Sequence, residues 1–284
     1  MTKGPESMYW PFWRASRGAA AVRFHLNARR DNTTVPLDWD PRRTALIICD
    51  MWNDHWCTSA ARRCAALAPR VNEFALAARR LGALVIHAPS ETMAFYARMP
   101  QRIRAQAVPA LRPRVPIKTR GVDPTREPDL PIDDSDGGCD DSPRCFFSVA
   151  WNRQHPAIMI AEEDLISDSG GEIYSLLTRR RIRNIFMTGV HTNKCILERP
   201  FGIRQMIMLG MNVVLIRDLT DSLYNPSMAP GVSHDRGTEL VAEHIETYWC
   251  PSIDSRDVVK PNTEASPLAQ TAGFVAREKS IGPH

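Results

Sequence analysis

Residues 44–49 of this 284-residue chain read Thr-Ala-Leu-Ile-Ile-Cys, an uninterrupted apolar run that ends at Asp50. A short run without polar alternation is typical of a strand that is buried on both faces of a sheet. Four further apolar runs follow along the chain, at residues 83–87, 157–160, 184–188 and 212–216. Helical patterns separate them, so the sequence predicts an α/β fold: a three-layer, doubly wound, mostly parallel sheet of the Rossmann-like type.

The helices between these runs are predicted from apolar residues at helical spacing, at residues 60–81, 172–181, 194–209 and 235–248. Parallel strands place their carboxyl ends at one edge of the sheet, where ligands bind in such folds. Several polar or reactive residues follow predicted strands: Asp50, His87, Glu162, the segment 189–195 and Asp218. We therefore expect one pocket at this edge to collect them.

The apolar pattern also divides the chain into three parts. Residues 1–41 are predicted to form an N-terminal arm whose aromatic residues pack on the body or on a second subunit. Residues 42–260 form the α/β domain, with a long proline-rich insertion at about 99–156 of the kind that serves as a lid or binding loop. Residues 261–284 lack a periodic apolar face, which predicts a loosely ordered tail.

Composition excludes several classes of protein. The formal net charge is +4, and the arginines lie in short clusters along the chain, whereas nucleic-acid proteins usually concentrate basic charge on one face. No apolar run approaches the roughly 18 residues of a membrane span, and the N-terminal pattern leads us to expect no signal peptide. The seven cysteines are scattered without a CxxC pair, which favours reduced thiols. We expect a cytoplasmic protein that acts on a small molecule, without nucleic-acid or membrane partners.

The segment Gly-Val-His-Thr-Asn-Lys-Cys, residues 189–195, links a predicted strand to a predicted helix. A cysteine at a helix start lies near unpaired backbone N–H groups and the positive end of the helix dipole, which favour the thiolate. The same N–H groups can hold the negative oxygen that forms when a thiol attacks a carbonyl. Cys195 is therefore either a nucleophile or one more small buried residue, the common fate of a free cysteine.

Two motifs at corresponding strand ends decide between these interpretations. Asp-Met-Trp-Asn-Asp follows the first predicted strand at residues 50–54, and Gly-Val-x-Thr-x-x-Cys follows the fourth at residues 189–195. Arg217 and Asp218 follow the fifth. Over about residues 42–250 this arrangement resembles the isochorismatase-like cysteine hydrolase superfamily, which includes nicotinamidases and N-carbamoyl amide hydrolases.

The resemblance implies roles for particular residues. Cys195 would be the nucleophile, and Asp50 would accept its proton and later pass it to the leaving amine. The Val190–His191 peptide would be a non-proline cis bond, as in the superfamily. The residues assigned to substrate binding are Trp52, His87, Val190 and His191. Superfamily members are dimers or tetramers, so a homo-oligomer is expected.

The sequence departs from the superfamily at its third catalytic residue, a lysine after the third strand. Counting from residues 157–160 places Glu162 there, or Glu163 after a slip of one residue, and no lysine fits. Three acidic groups would then meet, and like charges at close range keep one group protonated. Either Glu162 is a neutral acid, or the substrate is cationic, or Glu162 points away and Lys118 or an arginine of the long loop reaches the site. We favour a carboxylate-rich site with an unusual substrate.

Neither a metal nor a cofactor is expected. Metal-binding nicotinamidases carry Asp-x-His after the second strand, where this chain has His-Ala-Pro-Ser at residues 87–90. The acidic stretch 133–141 fails the spacing of an EF-hand calcium loop. It is interpreted as a solvated acidic turn, with a cation-attracting lid as the alternative.

Three functions remain. The first is hydrolysis of a C–N bond in a small amide, imide or ureido compound through a Cys195 thioester. The second is hydrolysis of a vinyl ether, in which Asp50 protonates the substrate and Cys195 is dispensable. The third is a non-catalytic binding or scaffold protein on the same fold, in which Cys195 is an ordinary thiol.

Overall fold

The computed structural model describes residues 22–259. Its strands are β1 (Phe24–Arg30), β2 (Thr33–Trp39), β3 (Thr44–Cys49), β4 (Leu84–Ala88), β5 (Leu165–Ile166), β6 (Asn184–Val190), β7 (Asn212–Asp221) and β8 (Ser252–Ile253). Its helices are α1 (Thr58–Leu81), α2 (Met93–Tyr96), α3 (Pro100–Gln106), α4 (Gly170–Arg179), α5 (Cys195–Glu198), α6 (Ile203–Met208) and α7 (His234–Tyr248).

The strands form one eight-stranded sheet in the order β2-β1-β8-β7-β6-β3-β4-β5. From β8 to β5 every pairing is parallel, and only β1 pairs antiparallel, with β2 and with β8. After β3 the chain adds β4 and β5 on one side of β3, and it then crosses over to add β6 on the other side. This is the doubly wound, mostly parallel α/β fold that the sequence predicts, with a crevice between the carboxyl ends of β3 and β6.

Helices cover both faces of the sheet because alternate residues of each strand point to opposite sides. In β3, Leu46 and Ile48 pack with α1 in one buried cluster. Ala45, Ile47 and Cys49 pack in the other, together with residues of α4, α6 and α7. All six residues of β3 are fully buried, which explains its uninterrupted apolar sequence.

The hairpin of β1 and β2 lies within the segment predicted as an N-terminal arm. Its turn residues, Asp31 and Asn32, both have positive φ, as a two-residue type I′ turn requires. Phe24, Leu26 and Ala28 alternate with exposed residues and face the core. Residues 24–39 thus extend the sheet at its edge. The rest of the predicted arm, up to residue 21, and the predicted tail 261–284 lie outside the described residues.

Two predicted elements are wrong. Residues 157–160 are not a strand; the corresponding parallel strand is β5, only two residues long and several positions later. The helix predicted at 194–209 is two short helices, α5 and α6, because Pro200 and Gly202 interrupt it. A Cβ at Gly202 would lie 2.8 Å from the carbonyl oxygen of Ile196.

A long segment between α3 and β5, residues 107–164, contains no helix or named strand. It includes most of the predicted insertion at 99–156. It is joined to the body by an isolated bridge between Trp52 and Gln154 and by many side-chain contacts described below. Among residues 22–259, no helix is both long and apolar enough to cross a membrane.

Candidate active site

Asp50 is the first residue after β3 and is fully buried. Its φ is +49°, a turn conformation that aspartate tolerates better than most residues. One carboxylate oxygen, Oδ1, accepts the backbone N–H of Ser90 at 2.7 Å. The other, Oδ2, accepts the Nε–H of Arg199 at 2.8 Å. Burial raises the pKa of Asp50 above its ordinary value, while Arg199, the Cys195 thiol and Ser90 each act to lower it.

Cys195 begins α5 and is partly buried. Its thiol faces the Asp50 carboxyl, and each group acts on the pKa of the other. Burial and then the Asp50 charge raise the pKa of the thiol well above its ordinary value, whereas Arg199 acts in the opposite direction. The resting cysteine is therefore a thiol, and the neighbouring Asp50, when it is ionised, is in position to accept the thiol proton.

Arg199 supplies the positive charge of the site and was not identified from the sequence. It follows α5, four residues after Cys195, and its N–H donates to the Cys195 carbonyl at 3.1 Å. Its pKa is raised because the Asp50 carboxyl outweighs the cost of burial. Its guanidinium also lies 3.5 Å from Glu91. Residues four apart on a helix lie on one face, and this spacing was the available signal.

Glu162 does not join this site, which corrects its assignment as a catalytic residue. Its side chain is exposed, and it precedes β5 instead of following a strand. Glu163 is also exposed and lies 3.6 Å from Arg79. The error follows from taking residues 157–160 as the strand. Lys118 is not part of the site either, because it is exposed and lines a separate cavity together with Arg204 and Trp249. The sequence left open that Glu162 points away and that a basic residue of the long loop reaches the site instead. An arginine does lie beside Asp50, but it is Arg199, which follows α5 and does not belong to the long loop.

The segment after β6 brings Cys195 to Asp50. Gly189 pairs with Cys49 in the register of β3 and β6. A Cβ at Gly189 would lie 1.9 Å from the Cys49 carbonyl oxygen, so only glycine permits this approach. The predicted non-proline cis bond between Val190 and His191 is confirmed.

Backbone donors are available beside the thiol. The N–H of Thr192 donates to the Asp221 carbonyl, and those of Lys194 and Ile196 donate to the His191 carbonyl. By contrast, the N–H groups of Asn193 and Cys195 have no acceptor among residues 22–259. Unpaired N–H groups next to a nucleophile can bind a developing oxyanion.

A cluster of stacked aromatic rings contacts His191, the residue that begins the turn before Cys195. Trp52 stacks on Trp151 with ring centroids 4.4 Å apart and planes 16° apart, and His55 stacks on Trp151 at 5.6 Å. The His191 ring meets His55 edge-on at 5.0 Å. Val190, the fourth residue assigned to substrate binding with Trp52, His87 and His191, is 1% exposed and belongs to the core.

His191 differs from other buried polar residues because neither ring nitrogen has a hydrogen-bond partner in the described chain. It is 2% exposed. Burial, with a smaller contribution from His55, lowers its pKa to about 3. Its imidazole is therefore neutral, and a buried polar ring without partners is costly. This makes His191 the side chain beside Cys195 best able to gain from a polar ligand.

His87 is not available to a substrate. Its ring nitrogens lie 2.9 Å from Gln154 and 2.9 Å from Asp164, and all three residues are buried. Asp164 also accepts two hydrogen bonds from Arg79. His87 therefore links β4 to the long segment 107–164.

Asp218 also lies away from the site, where it binds Arg70 and Ser255. The carboxylate at the site end of β7 is instead Asp221, whose Oδ2 lies 4.0 Å from the His191 ring and 3.1 Å from Arg63.

The acidic stretch 133–141 packs against the nucleophile segment. Asp134 accepts a hydrogen bond from Asn193 at 2.6 Å and forms an ion pair with Lys194 at 2.8 Å. Asp136 binds Asn225. A cavity of about 550 Å³ adjoins this contact, and neither Asp50 nor Cys195 lines it. The stretch is therefore bonded to the body and is not a freely solvated turn.

Comparisons with known proteins give structural likenesses only. No protein-family model matches the chain, and no curated protein matches it in sequence. It is similar to a cysteine hydrolase from Pseudomonas syringae pv. phaseolicola (16% identity, TM-score 0.47, 77% of this chain and 92% of that chain). It is also similar to an isochorismatase family protein from Burkholderia thailandensis (18%, 0.43, 77% and 94%) and to an isochorismatase from Pseudomonas putida (10%, 0.45, 77% and 91%).

Proposed function

We propose that this protein is a hydrolase of the isochorismatase-like type that cleaves a C–N bond in a small amide, imide or ureido compound. The observation that carries the proposal is the buried Asp50 carboxylate, held by Arg199 and facing the Cys195 thiol at the crevice between β3 and β6. A base beside a nucleophile, with a third group orienting the base, is the arrangement that activates a nucleophile in covalent catalysis.

In the first half of the reaction, Asp50 takes the thiol proton as the Cys195 sulfur bonds to the carbonyl carbon. The carbonyl π electrons move to its oxygen, which the free N–H groups of Asn193 and Cys195 can stabilise. The protonated Asp50 then gives its proton to the leaving nitrogen as the C–N bond breaks, which leaves a thioester. In the second half, Asp50 removes a proton from water, water adds to the thioester, and the acid leaves with regeneration of the thiol.

Arg199 favours the basic form of Asp50, because its charge acts to lower the pKa of that carboxyl. A buried carboxyl without a nearby cation stays protonated at neutral pH, and Asp50 is fully buried. Because Arg199 neutralises Asp50 within the site, a positive charge on the substrate is unnecessary. The expectation of a carboxylate-rich site with an unusual substrate is therefore withdrawn.

The neighbouring side chains favour a flat, uncharged substrate. The stacked rings of Trp52, Trp151 and His55 offer an aromatic wall. His191 offers two unpartnered ring nitrogens that can bind an amide or a heteroaromatic ring. We place such a reaction in the cytoplasm and in a homo-oligomer.

One observation favours the alternative of a binding protein. The pKa of Cys195 is raised, not lowered, by its surroundings, whereas reactive cysteines usually have lowered values. The two functions differ in whether the thiol proton can pass to Asp50 when an electrophile arrives.

The test is a panel of small amides, imides and ureido compounds assayed for the products of C–N cleavage, which are ammonia, an amine or the half-amide of a cyclic imide. Active compounds are then followed by mass spectrometry of the acid-quenched protein. We expect an acyl group on the Cys195 peptide and loss of turnover in Cys195→Ala and in Asp50→Asn. Cys250→Ser, which alters a buried cysteine elsewhere, should retain turnover.

Other outcomes identify the alternatives. Turnover of these compounds that survives in Cys195→Ala would refute the thioester. Hydrolysis of a vinyl ether, tested alongside them, that survives in Cys195→Ala would favour the second function, in which Asp50 protonates the substrate. Binding of compounds without turnover, together with a Cys195 that reacts with iodoacetamide no faster than a free thiol, would favour the binding protein.

A further inference from the structure

Three cysteines converge on one carboxylate away from Cys195. The Oδ2 atom of Asp141 lies 3.4 Å from the sulfur of Cys57, 3.7 Å from that of Cys139 and 3.2 Å from that of Cys145. It also accepts the backbone N–H of Ser59 at 2.9 Å. A carboxylate oxygen has two lone pairs, so this oxygen cannot accept good hydrogen bonds from all three thiols and the Ser59 N–H at once.

The spacing fits the coordination shell of a tetrahedral metal ion. Zinc bonds of about 2.3 Å to sulfur and about 2.0 Å to oxygen place neighbouring sulfur and oxygen ligands about 3.5 Å apart. The three observed S···O distances lie on either side of that value. The Cys57 and Cys139 sulfurs and an Asp141 oxygen all lie within 4.8 Å of one another. The Cys145 sulfur lies 3.2 Å from Asp141 but is outside this group of three, so its side chain would have to turn toward the other two sulfurs to become the fourth ligand.

We propose that Cys57, Cys139, Cys145 and Asp141 bind a structural Zn²⁺ ion. Four protein ligands of this type close the coordination shell, as in structural zinc sites, and leave no position for a substrate. The site is separate from Cys195 and independent of the proposed hydrolase activity. It revises the expectation, drawn from the sequence, that the chain binds no metal.

The surroundings of the cluster suit three thiolates and a carboxylate. Cys57 and Cys139 are buried, at 0% and 1% exposure, beside Ala60 and Leu223. Cys57 is the N-cap residue of the 24-residue helix α1, where the helix dipole favours negative charge.

Basic side chains complete the charge balance of the site. Arg62 lies 3.5 Å from Asp141, and Arg63 lies 2.8 Å from Asp140. Asp140 is occupied by Arg63 and by the Ser59 hydroxyl, whereas Asp141 is the carboxylate that all three thiols contact.

The ion would fasten the long segment 107–164 to the start of α1. Zinc takes its cysteine ligands as thiolates, so binding of the ion releases protons. The same crosslink fixes residues 139–145 near His55 and Trp56, which immediately precede Cys57, and so supports the aromatic side of the candidate active site.

The experiment measures zinc in the full-length protein, purified without chelators, by elemental mass spectrometry. We expect about one Zn²⁺ per chain, and at least a tenfold lower content in Cys57→Ser and in Cys139→Ser. Cys250→Ser is the matched control, because Cys250 is equally buried but lies elsewhere, and it should retain the metal.

A second measurement does not depend on the variants folding. Wild-type protein treated with EDTA is titrated with CoCl₂ alone, and thiolate–cobalt charge-transfer absorption should appear at one equivalent and disappear on adding ZnCl₂. The proposal is overturned if the purified protein holds no zinc and cobalt produces no such absorption. It is equally overturned if peptide mapping under non-reducing conditions finds Cys57 and Cys139 joined as a disulfide.

Discussion

Replacing Arg199 by glutamine isolates the charge that holds Asp50 in its basic form. The Arg199 Nε lies 2.8 Å from Asp50 Oδ2. Unit charges about 4 Å apart interact by about 4 kcal/mol at an effective dielectric constant of about 20. That energy corresponds to about three pKa units. Because the Arg199 side chain is 25% exposed, solvent screens part of it, and we expect the pKa of Asp50 to rise by about one to two units.

The assay is the rate of Cys195 alkylation by iodoacetamide across the acidic and neutral pH range, read by peptide mass spectrometry. The thiol reacts by passing its proton to ionised Asp50, so the acidic limb of the profile reports the Asp50 pKa. In Arg199→Gln this limb should move upward, and alkylation on it should slow by about 10- to 100-fold. Arg199→Lys, which keeps the charge, should restore most of the rate.

Glu162→Gln is the matched control, because Glu162 is exposed and outside the site. Its profile should coincide with that of the wild type. An unchanged acidic limb in Arg199→Gln, or a shifted one in Glu162→Gln, would refute the assignment of Arg199 as the cation of the site.

Three further outcomes are expected. Gly189→Ala should lower the free energy of unfolding by about 2–4 kcal/mol, measured in urea. The reason is that the new Cβ would lie 1.9 Å from the Cys49 carbonyl oxygen. A variant as stable as the wild type would contradict this close approach. His87→Ala should lower the free energy of unfolding by about 2–4 kcal/mol and leave KM unchanged. A raised KM would restore the assignment of His87 to substrate binding. Burial lowers the pKa of His191 to about 3 and that of His55 to about 4. The unfolded chain thus binds more protons than the folded chain below about pH 6.5. The free energy of unfolding should therefore decrease as the pH is lowered from about 6.5, by up to about 1.4 kcal/mol per pH unit for each histidine. Urea unfolding of His191→Asn should show a smaller decrease over the same pH range.

The sequence predicts the part of the fold that is buried on both faces. The runs at 44–49 and 184–188 match β3 and β6 closely, because strands without a solvent face need continuous apolar residues. Since these strands are parallel neighbours, the residues that follow them meet. The adjacency of Asp50 and Cys195 was therefore predictable without knowledge of their contacts.

Other features left weaker signals in the sequence. β5 has two residues, too few to show a period, whereas the apolar run at 157–160 is longer and forms no strand. Its misassignment placed Glu162 in the site and hid Arg199, whose side chain enters from another element. The β1–β2 hairpin did leave a signal, since Asp31-Asn32 lies between alternating residues, but its exposed second strand resembles an unstructured arm.

The cysteine cluster depends on tertiary structure alone. Asp141 lies 84 residues after Cys57, and no short-range spacing joins the two. Only the path of the segment 107–164, which has no helix or named strand, brings them together. Local periodicity carries no information about such a path.

The stack of Trp52 on Trp151 joins two regions that are distant in sequence, the turn after β3 and the end of the long segment. Two indole rings 4.4 Å apart and within 16° of parallel are close enough for their electronic transitions to couple. Their near-ultraviolet circular dichroism would then differ from that of separated rings. Near-ultraviolet circular dichroism of the unlabelled protein should therefore report whether the segment 107–164 is packed against the rest of the domain.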